Sequence, residues 1–469
     1  MPKVLRGPGA SPSAVRPILD GLTVFPTVRI LLFVRSVGRH VTGRPPGLSG
    51  PVRGSAGWGL VSRAPAPPRP SLLLLAYLAF VSLGLPDGLI GVGWPSIRLD
   101  LDVPTEAVGV VLTAGTVAYL TSSVLAGFTL ARLGVGWLLA GSTLLAGVAL
   151  TGYASTPALA VMVGFALVLG LGSGAIDAGL NAYAAAAFGP RHMNWMHAFF
   201  GLGVAIGPLI MTGVLGAGLS WRWGYALVAA AQLALATAFA LTVRLWRGDA
   251  PAGAALPPDP IAPQVVPGEP APAAPRASIG ATLRLPAVWL GGAAFAVYVA
   301  IEVSTGLWAF LLLTEGRGLS AAVAGLCVSG YWGSLFVGRV VQGVVAERLG
   351  SGRVLRGSLL GMAGGAVLTA LPAPGWVTVA GLLVVGFAAA PVFPLLTLTT
   401  AERVGRDHAD RTIGLQIGAA GLGAALVPAA VGVLLARVSV AALGPTLVLL
   451  AVALIVLHAA GARQARHAG

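Results

Sequence analysis

From Ser71 to about residue 462, long apolar runs alternate with short polar turns. A run of about twenty apolar residues suits a helix that crosses a bilayer. Six such segments lie at about 71–93, 105–131, 135–155, 157–188, 192–218 and 221–246. A Pro/Ala-rich stretch at 248–284 breaks the pattern. Six more segments follow at about 286–313, 319–346, 353–372, 375–402, 409–436 and 440–462. The pattern predicts an all-α membrane protein of twelve transmembrane helices in two six-helix bundles. Residues 1–70 are rich in Pro, Gly and Arg, and their apolar run at Leu31-Leu32-Phe33 is interrupted by Arg29 and Arg35, too short to span. The expected organisation is a disordered Arg/Pro-rich extension at 1–70, a bundle at 71–247, a cytoplasmic linker at 248–284, a second bundle at 285–463 and a tail at 464–469.

Composition sharpens this picture. Hydrophobic residues make up 56% of the chain and charged residues 9%, against about a quarter charged in a soluble domain. The formal net charge of +14 resembles a nucleic-acid signal, but residues 1–70 hold +9 of it. The partner that the composition implies is the lipid bilayer, with no nucleic acid. With the N-terminus inside, sixteen loop arginines fall on the cytoplasmic side and only Arg98, Arg222, Arg317 and Arg437 outside. That asymmetry follows the positive-inside rule and places both termini in the cytoplasm of a cell (inner) membrane protein. Lys3 is the only lysine, a bias typical of a GC-rich bacterial genome. Cys327 is the only cysteine, which excludes an intramolecular disulfide and a Cys-based metal site. No metal-ligand cluster, phosphate-binding loop or nucleophile elbow appears. The chain is therefore expected to be no enzyme, to need no cofactor and to act as a monomer on a small-molecule solute.

The chemistry concentrates in Gly170–Thr212. Asp177 sits inside an apolar, small-residue run, and Asn181 follows four residues later on the same helical face. A carboxylate inside a membrane helix is costly unless it meets a partner or a water-filled cavity. Two further acids lie well inside segments: Asp87 in the first and Glu302 in the seventh. Each stands sixteen residues past the start of its segment, roughly 24 Å along a helix. Such carboxylates either carry an ion or order the bundle by pairing with neighbours. Asp87 lies between Pro86 and Gly88, so a helix break is expected there. His197, near the start of the fifth segment, titrates near neutrality and suits a gate or proton relay, or a hydrogen-bonded interfacial role. Trp94 and Trp221 are expected in the outer aromatic belt. The glycines at 170, 172, 174, 201, 203 and 207 are expected where helix backbones approach closely.

The two halves also match each other. Gly201-Leu-Gly-Val-Ala-Ile-Gly-Pro208 aligns with Gly421-Leu-Gly-Ala-Ala-Leu-Val-Pro428. Gly127-x4-Arg132-x-Gly134 aligns with Gly343-x3-Glu347-Arg348-x-Gly350. Parallel repeats of this kind build transporters with a central cavity between halves.

With these motifs in place, residues 71–463 resemble the major facilitator superfamily. The loops at Gly127 and Gly343 look like that family's cytoplasmic motif, with Gly343, Glu347, Arg348, Arg132 and Arg339 as gating candidates. The first copy has Ala131 where the acid is expected. Three stretches resemble the fucose–proton symporter branch: Asp177-x3-Asn181 with His197-x3-Gly201-x-Gly203; Tyr298-Val-Ala-Ile-Glu302-Val-Ser-Thr-Gly-Leu-Trp308; and Pro391-Val-Phe-Pro394. This resemblance implies proton-coupled uptake of a sugar or similar polar solute through a cavity lined by helices one, four, seven and ten. Asp177, Asp87, Glu302 and His197 are then the proton-coupling candidates. Asn181, Tyr298, Trp308 and Phe393 are the solute-binding candidates, because sugars ask for amides and aromatic faces together. Sodium would suit the same carboxylates. Gly201–Pro208 also resembles a motif of drug antiporters, which keeps efflux of drugs or metabolites as the alternative.

Overall fold

A computed structural model describes residues 69–188, 190–247 and 278–468. The N-terminal extension and most of the linker expected from the sequence lie outside the described residues. The helices are α1 (Pro70–Asp100), α2 (Val108–Ser155), α3 (Leu159–Ala187), α4 (Pro190–Gly216), α5 (Arg222–Thr242), α6 (Ile279–Leu283), α7 (Pro286–Leu311), α8 (Ala321–Leu349), α9 (Ser351–Ala370), α10 (Gly375–Ala389), α11 (Val392–Leu398), α12 (Thr400–Val404), α13 (Arg406–Arg437) and α14 (Leu443–Ala468).

Among the described residues, ten helical stretches are long and apolar enough to cross a membrane. One of them, α2, is two spans. Its backbone leaves the helical region at Gly134, with φ 73° and ψ 165°. Gly170 on α3 packs against Gly115, and its neighbour Gly172 packs against Ser142. A straight helix would set Gly115 and Ser142 about 40 Å apart. The chain therefore folds back at Gly134. The twenty-residue α9, with Arg353 and Arg356 in its first turns, is not one of the ten but lies at the ninth expected segment, so the described helices are consistent with twelve spans.

The second half repeats the fold-back. Gly350 separates α8 from α9 with φ 83° and ψ 141°, torsions that match those of Gly134. Both are the closing glycines of the repeated loop motif. Residues with a Cβ avoid this region of backbone space, so the repeat in sequence is a repeat in backbone geometry.

The tenth segment is broken, at Ala390–Pro391, between α10 and α11. The break expected at Pro86 does not occur: α1 runs unbroken from Pro70 to Asp100 with Pro86 and Pro95 inside it. Packing explains this. Gly84 and Gly88 of α1 abut the backbone of α4 at Val204, and Gly207 of α4 abuts Leu85 and Gly88. This close seam holds α1 in register where proline removes a backbone donor.

The side of the bundle at which α1 begins is called the near face, and the other the far face. Helices α1–α5 pack together, as do α7–α14, and the two sets meet mainly along three seams: α1 with α7, α4 with α8, and α2 with α13. The seams are tight toward the far face. A Cβ on Gly91 of α1 would lie 2.9 Å from the Gly306 carbonyl of α7. Ser329 of α8 donates to the Ala205 carbonyl of α4 at 2.7 Å. Arg98 and Glu315 approach to 3.8 Å across the far end.

Candidate functional site

In the first half, α3 presents Asp177 and Asn181 one turn apart. The Asn181 amide donates to Asp177 Oδ1 at 3.0 Å. Tyr119 of α2 donates its hydroxyl to Asp177 Oδ2 at 2.6 Å. That contact depends on how closely α2 and α3 approach. Gly172 lies so near the Ser142 carbonyl that a Cβ would come within 2.7 Å, and Gly174 abuts the Tyr119 carbonyl. Asn181 Oδ1 is buried and has no hydrogen-bond partner among the described residues. An open acceptor of this kind needs a donor, because burying it unpaired is costly.

In the second half, Glu302 of α7 accepts the hydroxyl of Tyr298, one turn earlier. Tyr331 of α8 donates to the Glu302 carbonyl at 2.8 Å. Arg339 of α8 reaches the Glu302 carboxylate at 4.0 Å. The same guanidinium donates to the His197 carbonyl of α4 at 3.4 Å. Arg339 therefore ties an acid of one half to the backbone of the other. Gly201 lies beside it: a Cβ there would sit at ordinary contact distance, 3.7 Å from Arg339 Nη1. Gly201 thus faces the site, while Gly203 and Gly207 pack α4 onto α1 as expected.

His197 is exposed, with its ring edge-on to Phe80 at 5.3 Å. Asp177 and Arg339 both lie within its electrostatic range. Asp87 is exposed too, although it lies mid-helix. It stands three residues after Gly84 and four before Gly91, the positions at which α1 meets α4 and α7, so it shares their inward face. Its charge reaches Tyr119, Tyr153 and Tyr225. A chain of polar groups within electrostatic reach of one another therefore runs from Asp87 through Tyr119 and Asp177 to His197, Arg339 and Glu302, with direct contacts at Tyr119–Asp177, Arg339–His197 carbonyl and Arg339–Glu302. It joins both halves, with three carboxylates set against one guanidinium.

The aromatic candidates divide. Phe393 of α11 packs edge-on to Phe295 at 5.1 Å and lies 6.4 Å from the ring of Tyr298, so it borders the Glu302 cluster. Trp308 is 1% exposed, and its indole donates to the Pro428 carbonyl of α13 at 3.0 Å. Its one polar group is spent on joining α7 to α13, and it stands apart from the polar chain. Trp94 and Trp221 are likewise interior, not belt residues: their indoles donate to the Thr105 carbonyl and to Asp100. Trp137, Trp223, Trp289 and Trp376, each more than half exposed, take the surface positions instead.

Of the gating candidates, Arg132 and Arg348 are exposed at the near face, and the side chains of Gly343 and Glu347 fall outside those described. Arg339 belongs to the polar chain through its approach to Glu302. Gln342 donates to the Phe387 carbonyl at 2.7 Å, and Gln416 accepts from Thr400 at 2.9 Å, so both bind helices together. Tyr119 and Tyr331 escaped the sequence reading. The available signal was a tyrosine in mid-segment, opposite a glycine-rich helix in the case of Tyr119.

The family model described as Major Facilitator Superfamily matches residues 76–428 and 290–468. No curated protein sequence matches the chain. Among solved structures, an aspartate-to-alanine mutant of the nucleoside transporter NupG is 14% identical, with a TM-score of 0.65 over 84% of this chain and 99% of that one. A D-xylose-proton symporter is 15% identical, with a TM-score of 0.62 over 82% and 96% of the two chains. A bacterial homolog to the human lysosomal transporter Spinster, in an inward-facing and occupied conformation, is 14% identical, with a TM-score of 0.63 over 84% and 96%.

Proposed function

The chain belongs to the major facilitator superfamily and is a membrane transporter, not an enzyme; from that premise we propose that it moves a sugar, or a small polar solute built on one, by alternating access coupled to protons. The observation that carries this reading is Arg339, held between Glu302 of one half and the His197 carbonyl of the other. A group bonded to both halves can report solute and proton occupancy to the seam between them.

The solute class follows from the donors and acceptors at hand. Asp87, Asp177, Glu302 and the open Oδ1 of Asn181 all accept, which suits a molecule rich in hydroxyl groups. Phe393 and the ring of Tyr298 offer an apolar face beside them. A sugar ring is common to xylose and to nucleosides, the solutes named for two of the structural neighbours. Asp177 is the first candidate proton carrier, with Asp87, Glu302 and His197 as further stations of the relay. A carboxylate that meets water on each side in turn takes up a proton on one and releases it on the other.

On this reading the near face is cytoplasmic, because the loop arginines gather there. The far-side seams are then closed, and the site faces inward. Residues 71–247 and 285–463 are the rocking halves, joined by the stretch 248–284, and the protein acts as a monomer in a bacterial plasma membrane. The first test is binding: purified protein is titrated with xylose, fucose, glucose and uridine while its thermal transition is followed. Stabilisation by one of them, lost in Asn181→Leu, fits the proposal. Stabilisation only by lipophilic cations would favour the efflux antiporter to which Gly201–Pro208 is also similar.

A further inference from the structure

A second feature lies away from the polar chain, at the near-face end of the second half. The five-residue α12 continues the tenth segment after α11 and packs against α13 and α14. Two side-chain contacts hold it to them. Thr400 donates to Gln416 Oε1 of α13 at 2.9 Å. Arg403 Nη2 lies 3.2 Å from Nδ1 of His458 on α14. The same guanidinium lies along α14: a Cβ on Gly461 would sit at ordinary contact distance, 3.9 Å from Arg403 Nη1. Arg403 and His458 are both half-buried.

The first contact is neutral whatever the pH, and the second is not. A guanidinium only donates, so His458 Nδ1 must accept, and its ring is neutral with the proton on Nε2. A protonated imidazole donates from both nitrogens. Protonation therefore sets cation against cation at that distance, with no acceptor between them. The neighbouring elements add to this. Arg356 of α9 lies within electrostatic range of His458. Glu402 of α12 lies within range of Arg403, but it is exposed. Helix α7 also packs on α14 and carries no charged residue before Glu302. The near-face groups of α13 include Asp407, His408 and Asp410. His408 bonds Thr282 of α6, and the charges in range of His458 are those of Arg403 and Arg356.

We propose that this pair is a pH-sensitive latch: protonation of His458 releases α12 from α14 and slows solute exchange. Histidine is the side chain whose charge ordinarily changes in the physiological range. The latch holds while His458 is neutral and is lost as pH falls through its titration. The proton binds the released state better, so acid at the near face favours that state. The release reaches the site, because only Thr399 separates α12 from α11, whose Phe393 borders the Glu302 cluster. The latched pair belongs to the inward-facing arrangement, so its release withdraws that arrangement from the cycle. This last step rests on the reading that the near face is cytoplasmic and that the chain works by alternating access. A transporter that brings protons in would thereby slow as they build up inside.

The test is the thermal transition of the full-length protein in detergent at pH 8 and at pH 5, for wild type, His458→Gln and His458→Arg. Glutamine keeps an acceptor for Arg403 and takes up no proton, whereas arginine is a permanent cation. Wild type and His458→Gln are expected to melt together at pH 8, and the wild type a few degrees lower at pH 5. His458→Arg stays below His458→Gln at both. Other titrating groups cancel in these differences. A gap between wild type and His458→Gln that is equal at the two pH values, as a purely structural role gives, overturns the proposal. So does an acid-dependent gap that persists unchanged in an Arg403→Gln background, which would make another group the sensor. The functional arm is exchange of whichever of xylose, fucose and uridine the wild type carries, in proteoliposomes with equal pH on both sides. The rate of the wild type relative to His458→Gln is expected to fall severalfold from pH 8 to pH 5. A constant ratio beside a growing thermal gap overturns the regulatory role. No exchange in any variant counts against the solute reading instead, and the thermal arm still decides the latch.

Discussion

Asp177 and Glu302 are held alike on opposite halves, each accepting the hydroxyl of a tyrosine, Tyr119 or Tyr298. Their second partners differ: an amide for Asp177 and a guanidinium for Glu302. The difference predicts different responses to substitution. Arg339→Gln leaves the partly buried Glu302 without its counter-charge at 4.0 Å, which costs less than the roughly 3–5 kcal/mol of a fully buried pair, whereas the double change with Glu302→Gln comes close to neutral. Thermal unfolding of the two variants in detergent should show a larger drop for the first than for the second. Tyr119→Phe removes a hydrogen bond to a carboxylate, worth about 1.5–3 kcal/mol. It should weaken proton-driven uptake more than solute exchange. Asp177 with Asn181 was legible in the sequence because their spacing alone puts them on one face. Tyr119 was not, since it lies 58 residues from Asp177 and only the folded seam joins them. Trp308 misled for the converse reason. Its position beside the Glu302 stretch resembled a solute contact, but its indole bonds a backbone carbonyl on a helix 120 residues away. Trp308→Phe should therefore lower stability by about 1 kcal/mol or more, through an unsatisfied carbonyl, and leave solute affinity unchanged in a binding titration.

At the level of helices, hydrophobic length carried most of the information, and the described helices fall where the apolar runs do. Prolines were less readable. Pro86 and Pro391 look alike in sequence, yet α1 continues through the first while the chain breaks before the second. Glycine neighbours on α1 let α4 brace its backbone, and no local pattern around Pro86 announces that brace. The loop glycines were readable, because the motif repeats at both fold-backs. Gly134 at φ 73° and Gly350 at φ 83° take torsions that a Cβ opposes. Gly134→Ala or Gly350→Ala should each cost about 1–3 kcal/mol, measured as a lower unfolding midpoint. Gly127→Ala, with open space around its Cβ, should cost far less.

For the whole molecule, the far face is the closed side: Gly91 against Gly306, Ser329 bonded to Ala205, and Arg98 near Glu315 all lie toward it. Gly91→Leu drives a side chain into the α7 backbone and should shift the population toward a state parted at that face. Spin labels at Leu219 and Val438, which are 49% and 69% exposed on far-face turns of the two halves, should then show a longer distance than in the wild type. An unchanged distance would mean that the seam does not move. The central claim, that the polar chain from Asp87 to Glu302 couples protons to solute movement, is tested most directly by uptake. Labelled xylose, fucose and uridine are offered to proteoliposomes with and without an inward proton gradient, for wild type and Asp177→Asn. The account predicts that one of them accumulates only with the gradient, and that Asp177→Asn abolishes accumulation while retaining exchange. Uptake indifferent to the gradient, or accumulation that survives in Asp177→Asn, would contradict it.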